Sequence, residues 1–189
     1  MSLLHGDRPQ AVGWSPQGQL TRHKAMLDVG DISNSQILDY GCGKGDFYTL
    51  LDKMGITVAY TGIDINENLI AMARKTRPEL DFRVSHIEKE ELEKNFDYIF
   101  ICGVFNIKFE GVEESCRNTL RKLFRHCNKT LVFNALSTED LKKDFALQYF
   151  NPEEMLNFAL NELSPRSRLR PDSGLSDFTL FISKNMENI

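Results

Sequence analysis

Three glycines at alternating positions follow a short apolar run in the first third of the chain. The run is Ile37–Tyr40, and the glycines are Gly41, Gly43 and Gly45. Glycine lacks a Cβ atom, so each position lets the backbone turn sharply or lie directly against a ligand. A helical pattern begins at Asp46, so the segment predicts a strand, a tight turn and a helix. Such a unit is typical of an α/β domain that binds a ligand at its first turn.

An acidic residue stands at the end of the next apolar run. Asp64 closes the stretch that begins at Tyr60, just after the strand predicted over Thr57–Ile63. A glycine-rich first turn followed by such a carboxylate is the arrangement by which Rossmann-like domains hold an adenosine. The alternative is that Asp64 only caps a turn at the end of its strand. We expect it to bind the ribose of an adenosine cofactor.

The charges around the glycines favour one class of adenosine cofactor. The dinucleotide fingerprint is G-x-G-x-x-G, whereas here the third glycine comes one position early, at Gly45. Asp46 opens the helix where a pyrophosphate would sit and would repel it, and Asp39 adds a second negative charge. S-adenosylmethionine has a sulfonium and an ammonium group and no phosphate. The residues therefore favour this methyl donor over a nicotinamide dinucleotide.

The remaining pattern alternates strands with helices. Strands are predicted at Ile37–Tyr40, Thr57–Ile63, Leu80–Val84, Phe96–Cys102 and Thr130–Asn134, and two more within Ser167–Ser183 around the turn Pro171–Gly174. Helices are predicted at Thr21–Val29, Asp46–Met54, Glu67–Lys75, Glu88–Lys94 and Val112–Cys127, and across Thr138–Leu163 with a break near Pro152. This order predicts a parallel sheet covered on both faces and closed by an antiparallel pair.

Composition limits the classes of partner and compartment. The 189 residues are 41% hydrophobic, which suits one domain over residues 1–189 with an irregular lead segment at 1–20. The net charge of −4 argues against a nucleic-acid partner. No apolar run is long enough to span a membrane, and the amino terminus lacks a secretory apolar core. The four cysteines have no CxxC spacing, so we expect reduced thiols, no metal site and a cytoplasmic protein.

These features together resemble the class I S-adenosylmethionine-dependent methyltransferases. The resemblance runs from about Gly30 to Ser183, the expected Rossmann-like core at 30–183. It rests on the loop Asp39–Gly45, Asp64, the strand at 97–101 and the terminal strand at 178–182. It implies an α/β fold with a Rossmann-like, doubly wound, seven-stranded sheet, mostly parallel with an antiparallel C-terminal strand. The stretch Gly13–Trp14, with Gln19 and Arg22, also resembles the lead segment of small bacterial members.

The resemblance implies a role for each matching residue. Asp39 would orient the methionine ammonium group, Asp64 would accept hydrogen bonds from the ribose, and Arg22 would pair with the donor carboxylate. The implied cofactor-binding residues are Arg22, Asp39, Gly41, Cys42, Gly43, Gly45, Asp64, Ile65, His86, Ile87, Cys102 and Gly103. Among them, Ile65, His86 and Ile87 would lie near the adenine, and Cys102 and Gly103 beside the donor sulfur. Phe105, Asn106 and Tyr149 are the implied substrate-binding residues.

Several alternatives stay open from the residues. Ile101 precedes Cys102, which therefore lacks the Pro-Cys pair of cytosine methyltransferases and is expected to fill space. His23 and His86 are the nearest candidates for a general base, and neither has a supporting motif. Arg166, Arg168 and Arg170 suit a solvated sheet edge or an anion-binding wall. The leading function is methyl transfer to a small molecule or an unidentified acceptor; the alternatives are donor binding without turnover, a nucleic-acid methyltransferase or a nucleotide-dependent oxidoreductase.

Overall fold

The fold is taken from a computed structural model that describes residues 15–87, 90–170 and 176–184. Its helices are α1 (Pro16–Met26), α2 (Asp46–Lys53), α3 (Glu67–Thr76), α4 (Val112–Arg125) and α5 (Pro152–Glu162). Its strands are β1 (Gln36–Tyr40), β2 (Ala59–Asp64), β3 (Asp81–Val84), β4 (Phe96–Cys102), β5 (Cys127–Leu136), β6 (Ser167–Arg170) and β7 (Asp177–Ser183). A short 3₁₀ turn, Leu27–Val29, follows α1. None of the helices in these ranges is long and apolar enough to cross a membrane.

The strands form one seven-stranded sheet in the order β3-β2-β1-β4-β5-β7-β6. Strands β1 to β5 run parallel to one another, whereas β7 is antiparallel to both β5 and β6. This confirms the expected α/β sheet with a reversed C-terminal strand. Chain order reverses between β1 and β4, and ligands of such sheets bind beside that switch point, outside the carboxyl ends of the strands.

Helices cover both faces of the sheet. On one face, Met26 of α1, Phe47 of α2 and Ile70 of α3 belong to one buried cluster. On the other face, Leu120 of α4 and Phe158 of α5 belong to a second buried cluster. Strands β4 and β5 lie between the two layers, which explains why Ile99–Ile101 and Leu131–Phe133 are fully buried apolar runs.

The first helix begins earlier than predicted. It starts at Pro16 rather than at Thr21, so the predicted irregular lead segment is wrong for its last residues. The Ser15 side chain caps the helix by accepting a hydrogen bond from the Gly18 amide, and proline suits a first helical position because it has no amide to satisfy. Gly13–Trp14 and the turn Pro171–Gly174 lie outside the described residues.

Two further helix predictions are wrong. Residues 90–94, the described part of the predicted Glu88–Lys94 helix, form no helix, and neither do residues 138–150. In the second segment, the carboxylates of Asp140 and Asp144 accept hydrogen bonds from the amides two residues on, at 2.8 Å each. Such local bonds compete with helix formation. The segment instead pairs with neighbouring backbone through bridges at Leu147 and Phe150.

Candidate functional site

The glycine turn joins β1 to α2 at the carboxyl edge of the sheet. Gly41, Gly43 and Gly45 have φ angles of 77°, 55° and 85°, in the left-handed region that favours glycine. The turn is fixed to the neighbouring strand because the amides of Gly41 and Cys42 donate to the Ile63 carbonyl, at 2.8 and 3.1 Å. The predicted strand, turn and helix are therefore confirmed.

The three glycines differ in what surrounds them. A Cβ atom on Gly41 would lie 2.3 Å from Cγ2 of Val104, and one on Gly45 would lie 2.8 Å from Cζ of Phe82. A Cβ atom on Gly43 would meet only Leu69 Cδ1, at 4.0 Å. Gly41 and Gly45 are thus needed for packing within the protein, whereas Gly43 leaves backbone bare toward open space.

Asp64 lies directly beside this bare backbone. Its Oδ2 atom accepts a hydrogen bond from the Gly43 amide at 2.9 Å, and its Oδ1 atom accepts one from the Asn66 amide at 2.8 Å. Each carboxylate oxygen can accept two hydrogen bonds. The two amide bonds therefore orient the Asp64 carboxylate and leave it able to accept further hydrogen bonds. The turn-capping role considered from the sequence is therefore real, and ribose binding stays a prediction for the same group. Ile65, which follows, is 65% exposed at this edge.

Asp39 lies beneath the turn and is buried. The Tyr60 hydroxyl donates a hydrogen bond of 2.6 Å to its Oδ2 atom. The pKa of Asp39 is raised to about 7, chiefly by burial and also by the nearby negative charges of Asp64 and Asp46, against the lowering effect of the Tyr60 bond. Three carboxylates around one turn disfavour a phosphate and favour a cation.

The other predicted cofactor residues lie at the ends of β3 and β4. His86 is exposed, while Ile87 is buried in the core beneath it. Gly103 donates its amide to the Asn134 carbonyl at 3.0 Å. Burial raises the pKa of the Cys102 thiol, so the nucleophilic thiolate form is disfavoured. These placements are compatible with the predicted contacts, which stay predictions.

Arg22 makes a contact that the sequence did not suggest. Its Nε atom donates to Oδ2 of Asp177, the first residue of β7, at 2.5 Å, and Asn134 Nδ2 donates to the same oxygen at 3.1 Å. The expected pairing of Arg22 with a donor carboxylate stays a prediction. Asp177 and Asn134 were missed. The available signal was a carboxylate that opens an otherwise largely apolar strand.

The predicted substrate-binding residues lie in two loops that contact each other. Phe105 and Asn106 follow β4 and are buried, and the Asn106 carbonyl accepts a hydrogen bond from the Gln148 amide at 3.0 Å. The Tyr149 hydroxyl accepts a bond from the Asp144 amide at 2.8 Å within the loop after β5. Asn106 and Tyr149 thus also stabilise these loops, and acceptor binding by the three residues stays a prediction.

Two other features lie apart from the glycine turn. An open groove of about 540 Å³ runs along α4, and its lining residues are Phe109, Gly111, Val112, Glu113, Glu114, Arg117, Arg121 and Gln148. None of them is a predicted cofactor residue. At the sheet edge, Arg168 lies 4.1 Å over the ring of Phe181, and Arg170 pairs with Asp28 at 2.6 Å. These intramolecular contacts favour the sheet-edge interpretation over an anion-binding wall.

Comparisons with known proteins agree with this geometry. A family model described as a methyltransferase domain matches residues 31–166, more than half of the chain. A Mycobacterium tuberculosis protein named as a methyltransferase is 28% identical over 157 residues, which cover 78% of this chain and 92% of the relative. Other curated relatives are longer, and the chain spans 33 to 57% of their length.

Solved structures match the fold at low sequence identity. A methyltransferase from Archaeoglobus fulgidus that depends on S-adenosylmethionine has a TM-score of 0.70 and 17% identity, with 93% of this chain and 97% of that chain covered. Magnesium protoporphyrin IX methyltransferase from Synechocystis, with bound S-adenosylhomocysteine, has a TM-score of 0.67 and 14% identity, with 89% and 82% covered. The chain belongs to the methyltransferase-domain family, and it has the fold of the methyltransferases that depend on S-adenosylmethionine.

Proposed function

We propose that this protein transfers a methyl group from S-adenosylmethionine to a small-molecule acceptor. The observation that carries the proposal is the bare backbone at Gly43, whose amide is held by the Asp64 carboxylate. The donor supplies a methyl group on a cationic sulfur, and transfer from it needs an acceptor held in line rather than elaborate acid–base chemistry. The protein's part is therefore to position the two reactants.

The residues at this edge fit such a donor. Asp64 would accept hydrogen bonds from the ribose hydroxyls, with the adenine against Ile65 and near His86 and Ile87. Asp39 would face the ammonium group, because a cation there offsets its unfavourable burial as a carboxylate. The remaining contacts would come from Arg22 to the carboxylate and from the backbone at 102–103 beside the sulfur.

A small-molecule acceptor is favoured over nucleic acid. The net charge of −4 gives no general attraction for phosphates, and nucleic-acid binding would weaken steeply with added salt. The Synechocystis structural neighbour is named for a small-molecule acceptor, magnesium protoporphyrin IX.

The four cysteines are free thiols, which supports a reducing, cytoplasmic location. We also propose that the whole chain acts as one domain.

Calorimetry with three ligands tests the proposed cofactor. S-adenosylmethionine and S-adenosylhomocysteine are expected to bind the purified full chain, and NAD is not, because the carboxylates at the turn repel its pyrophosphate. Release of S-adenosylhomocysteine in the presence of small-molecule pools then measures turnover. Binding of NAD in preference to both sulfur ligands would contradict the proposal, and donor binding without any turnover would favour a binding protein.

Replacing Asp64 is expected to weaken donor binding. Asp64→Asn removes the charge that strengthens hydrogen bonds from the ribose, each worth roughly 1.5–3 kcal/mol, so affinity should fall about 10- to 150-fold. Titration calorimetry measures the change. The matched control is Asp52→Asn, an exposed carboxylate of α2 that pairs with Arg77. An unchanged dissociation constant in Asp64→Asn would refute the ribose assignment.

Two glycine substitutions separate ligand contact from packing. Gly43→Ala places its methyl in open space, so we expect a folded protein, strained by roughly 1–2 kcal/mol, that has lost most of its donor affinity. Gly55→Ala is the control, because Gly55 shares a positive φ of 70° and an open surrounding but ends α2 away from the turn. Thermal unfolding should report similar losses for both variants, and calorimetry should report lost binding for Gly43→Ala alone.

Gly41→Ala tests the packing assignment. Its methyl would clash with Val104 Cγ2, so we expect a larger loss of stability than for Gly43→Ala. Adding Val104→Ala should restore part of that loss, which unfolding in urea would measure. Equal stabilities for Gly41→Ala with and without Val104→Ala would show that Gly41 is not a packing position.

A further inference from the structure

Three buried side-chain polar atoms have no hydrogen-bond partner within the described ranges. They are Asn106 Nδ2, Thr119 Oγ1 and Asp177 Oδ1. Buried polar atoms are nearly always paired, so each exception calls for an explanation. Thr119 lies in the middle of α4, away from the carboxyl edge of the sheet. The other two atoms lie at that edge.

Asp177 presents one engaged oxygen and one unengaged oxygen. It opens β7, and because β7 is antiparallel to β5, its first residue lies beside Leu136 at the carboxyl end of β5. Its Oδ2 atom accepts hydrogen bonds from Arg22 Nε and Asn134 Nδ2, which neutralise and orient the carboxylate. Its Oδ1 atom is a fixed hydrogen-bond acceptor without a donor among the residues that the structure describes.

Asn106 presents the complementary atom. It follows the end of β4, and its Oδ1 atom accepts a hydrogen bond from the Leu136 amide at 3.4 Å. Its Nδ2 atom is a donor without an acceptor in the described part of the chain, and the bond on the other side of the amide fixes its orientation. Leu136 is the common neighbour, since it bonds Asn106 and pairs with Asp177 across the sheet.

A short polar chain connects this pair to the proposed donor site. Asn134 donates to Asp177, and its Oδ1 atom lies 3.8 Å from Sγ of Cys102. Cys102 ends β4, where the donor sulfur is expected. The unengaged acceptor and donor atoms are therefore linked, through Asn134 and Leu136, to the same carboxyl edge of the sheet as the end of β4.

We propose that Asp177 and Asn106 are specificity-determining residues that recognise an uncharged hydroxyl group of the methyl acceptor. The inference rests on the proposed function. A hydroxyl donates a hydrogen bond to Asp177 Oδ1 and accepts one from Asn106 Nδ2. An ammonium group has no lone pair to offer Asn106, and a carboxylate has no hydrogen to offer Asp177. The bound pair Arg22–Asp177 has no net charge, which also favours a neutral group.

Access to the two atoms requires movement of the loop after β4. Both atoms are buried, and this loop is joined to the loop after β5 by bonds from the Gln148 amide to the Asn106 carbonyl and from the Lys108 amide to the Ala146 carbonyl, at 3.0 and 3.1 Å. The competing explanation is a buried water molecule that satisfies both atoms and has no part in recognition.

Matched probes of one size distinguish these explanations. The full chain, saturated with S-adenosylhomocysteine, is titrated with benzyl alcohol, benzylamine or benzoate, while nuclear magnetic resonance follows the side-chain amide of Asn106. The signal is assigned by its loss in Asn106→Leu. We expect benzyl alcohol to shift it and the two charged probes to leave it unchanged. Asp177→Asn should weaken benzyl alcohol binding at least about tenfold, since the new amide turns a donor toward the unengaged position. Thr119→Val is the matched control and should bind like the parent.

Several outcomes overturn the inference. They are no response to benzyl alcohol, an equal response to benzoate or benzylamine, and unchanged binding in Asp177→Asn. Calorimetry on the same samples separates this failure from that of the proposed function, because S-adenosylhomocysteine must bind in either case. If Asp177→Asn does not fold, Asn106→Leu serves instead, with the response read from the Asn134 side-chain amide.

Discussion

Arg22→Met is expected to lower the free energy of unfolding by about 3–5 kcal/mol, because it leaves the Asp177 carboxylate buried without its cation. The side chains are 12% and 1% exposed, and the pair joins α1 to the first residue of β7. Unfolding in urea at neutral pH measures the loss. The double variant Arg22→Met with Asp177→Asn should recover part of it, because no unpaired charge is then buried.

Arg170→Met is the matched control for this prediction. Arg170 pairs with Asp28 at 2.6 Å, a distance close to that of the Arg22 pair, but the Asp28 side chain is 54% exposed. Exposed ion pairs contribute roughly 0–1 kcal/mol, so this variant should lose little stability. Equal losses in Arg22→Met and Arg170→Met would show that burial of Asp177 is not what makes its pair important.

Secondary structure could be predicted correctly where the local sequence pattern favoured a single type of element. The strand at Phe96–Cys102 was predicted with the bounds that the structure has, because it is apolar on both faces apart from Asp97 and lies between Asn95 and Gly103. The start of α1 was missed because proline and glycine also mark loops, and a Ser15 cap is recognised only with the helix in view. Within 138–150, two aspartates bind the backbone locally and outweigh the helical pattern.

The candidate site also contains features that depend on local sequence and features that depend on distant segments. The glycine turn and Asp64 were predictable because they lie within one strand–turn–helix–strand unit. The roles of the individual glycines were not, since Val104 and Phe82 reach Gly41 and Gly45 from distant segments. Arg22 and Asp177 are 155 residues apart, and only the reversed strand β7 brings them together. A single sequence carries no signal of such a pair.

Asp39→Asn is expected to change stability and donor affinity in opposite directions. The pKa of Asp39 is raised from 3.8 to about 7, so the folded protein holds this proton at pH values where the unfolded chain has released it. Between about pH 4 and 7 the wild type therefore loses roughly 4 kcal/mol of unfolding free energy through this group as pH rises. The variant lacks that loss and should be the more stable protein at pH 8.

His23 has the opposite pH dependence and must be separated from Asp39. Burial lowers its pKa from 6.5 to about 4, so its neutral form stabilises the fold above pH 6.5 and that stability is lost as pH falls toward 4. Both proteins contain His23, so its contribution cancels when the unfolding free energies of Asp39→Asn and wild type are subtracted at each pH. The difference should grow from pH 4 to 7 and level off above it.

Ionised Asp39 destabilises the fold, but it should strengthen binding of the cationic donor. A cationic ligand favours ionised Asp39, so the wild type should release a proton when it binds the donor below pH 7. Its affinity for the donor should therefore fall by up to about tenfold for each unit by which the pH is lowered below 7. Asp39→Asn should show no such slope and, at pH 8, bind about 10- to 150-fold more weakly, since one charge-assisted contact is lost. Calorimetry in two buffers of different ionisation enthalpy measures the released proton directly.

Asp97→Asn supplies the control for binding, because Asp97 accepts a hydrogen bond from the Gln36 amide at the opposite edge of the sheet. It should leave donor affinity and proton release unchanged. Should Asp39→Asn bind donor like the wild type, the buried carboxylate does not face the cationic end of the ligand. Its position beneath the glycine turn would then serve only its bond with Tyr60, and the charge argument for the donor would rest on Asp64 and Asp46 alone.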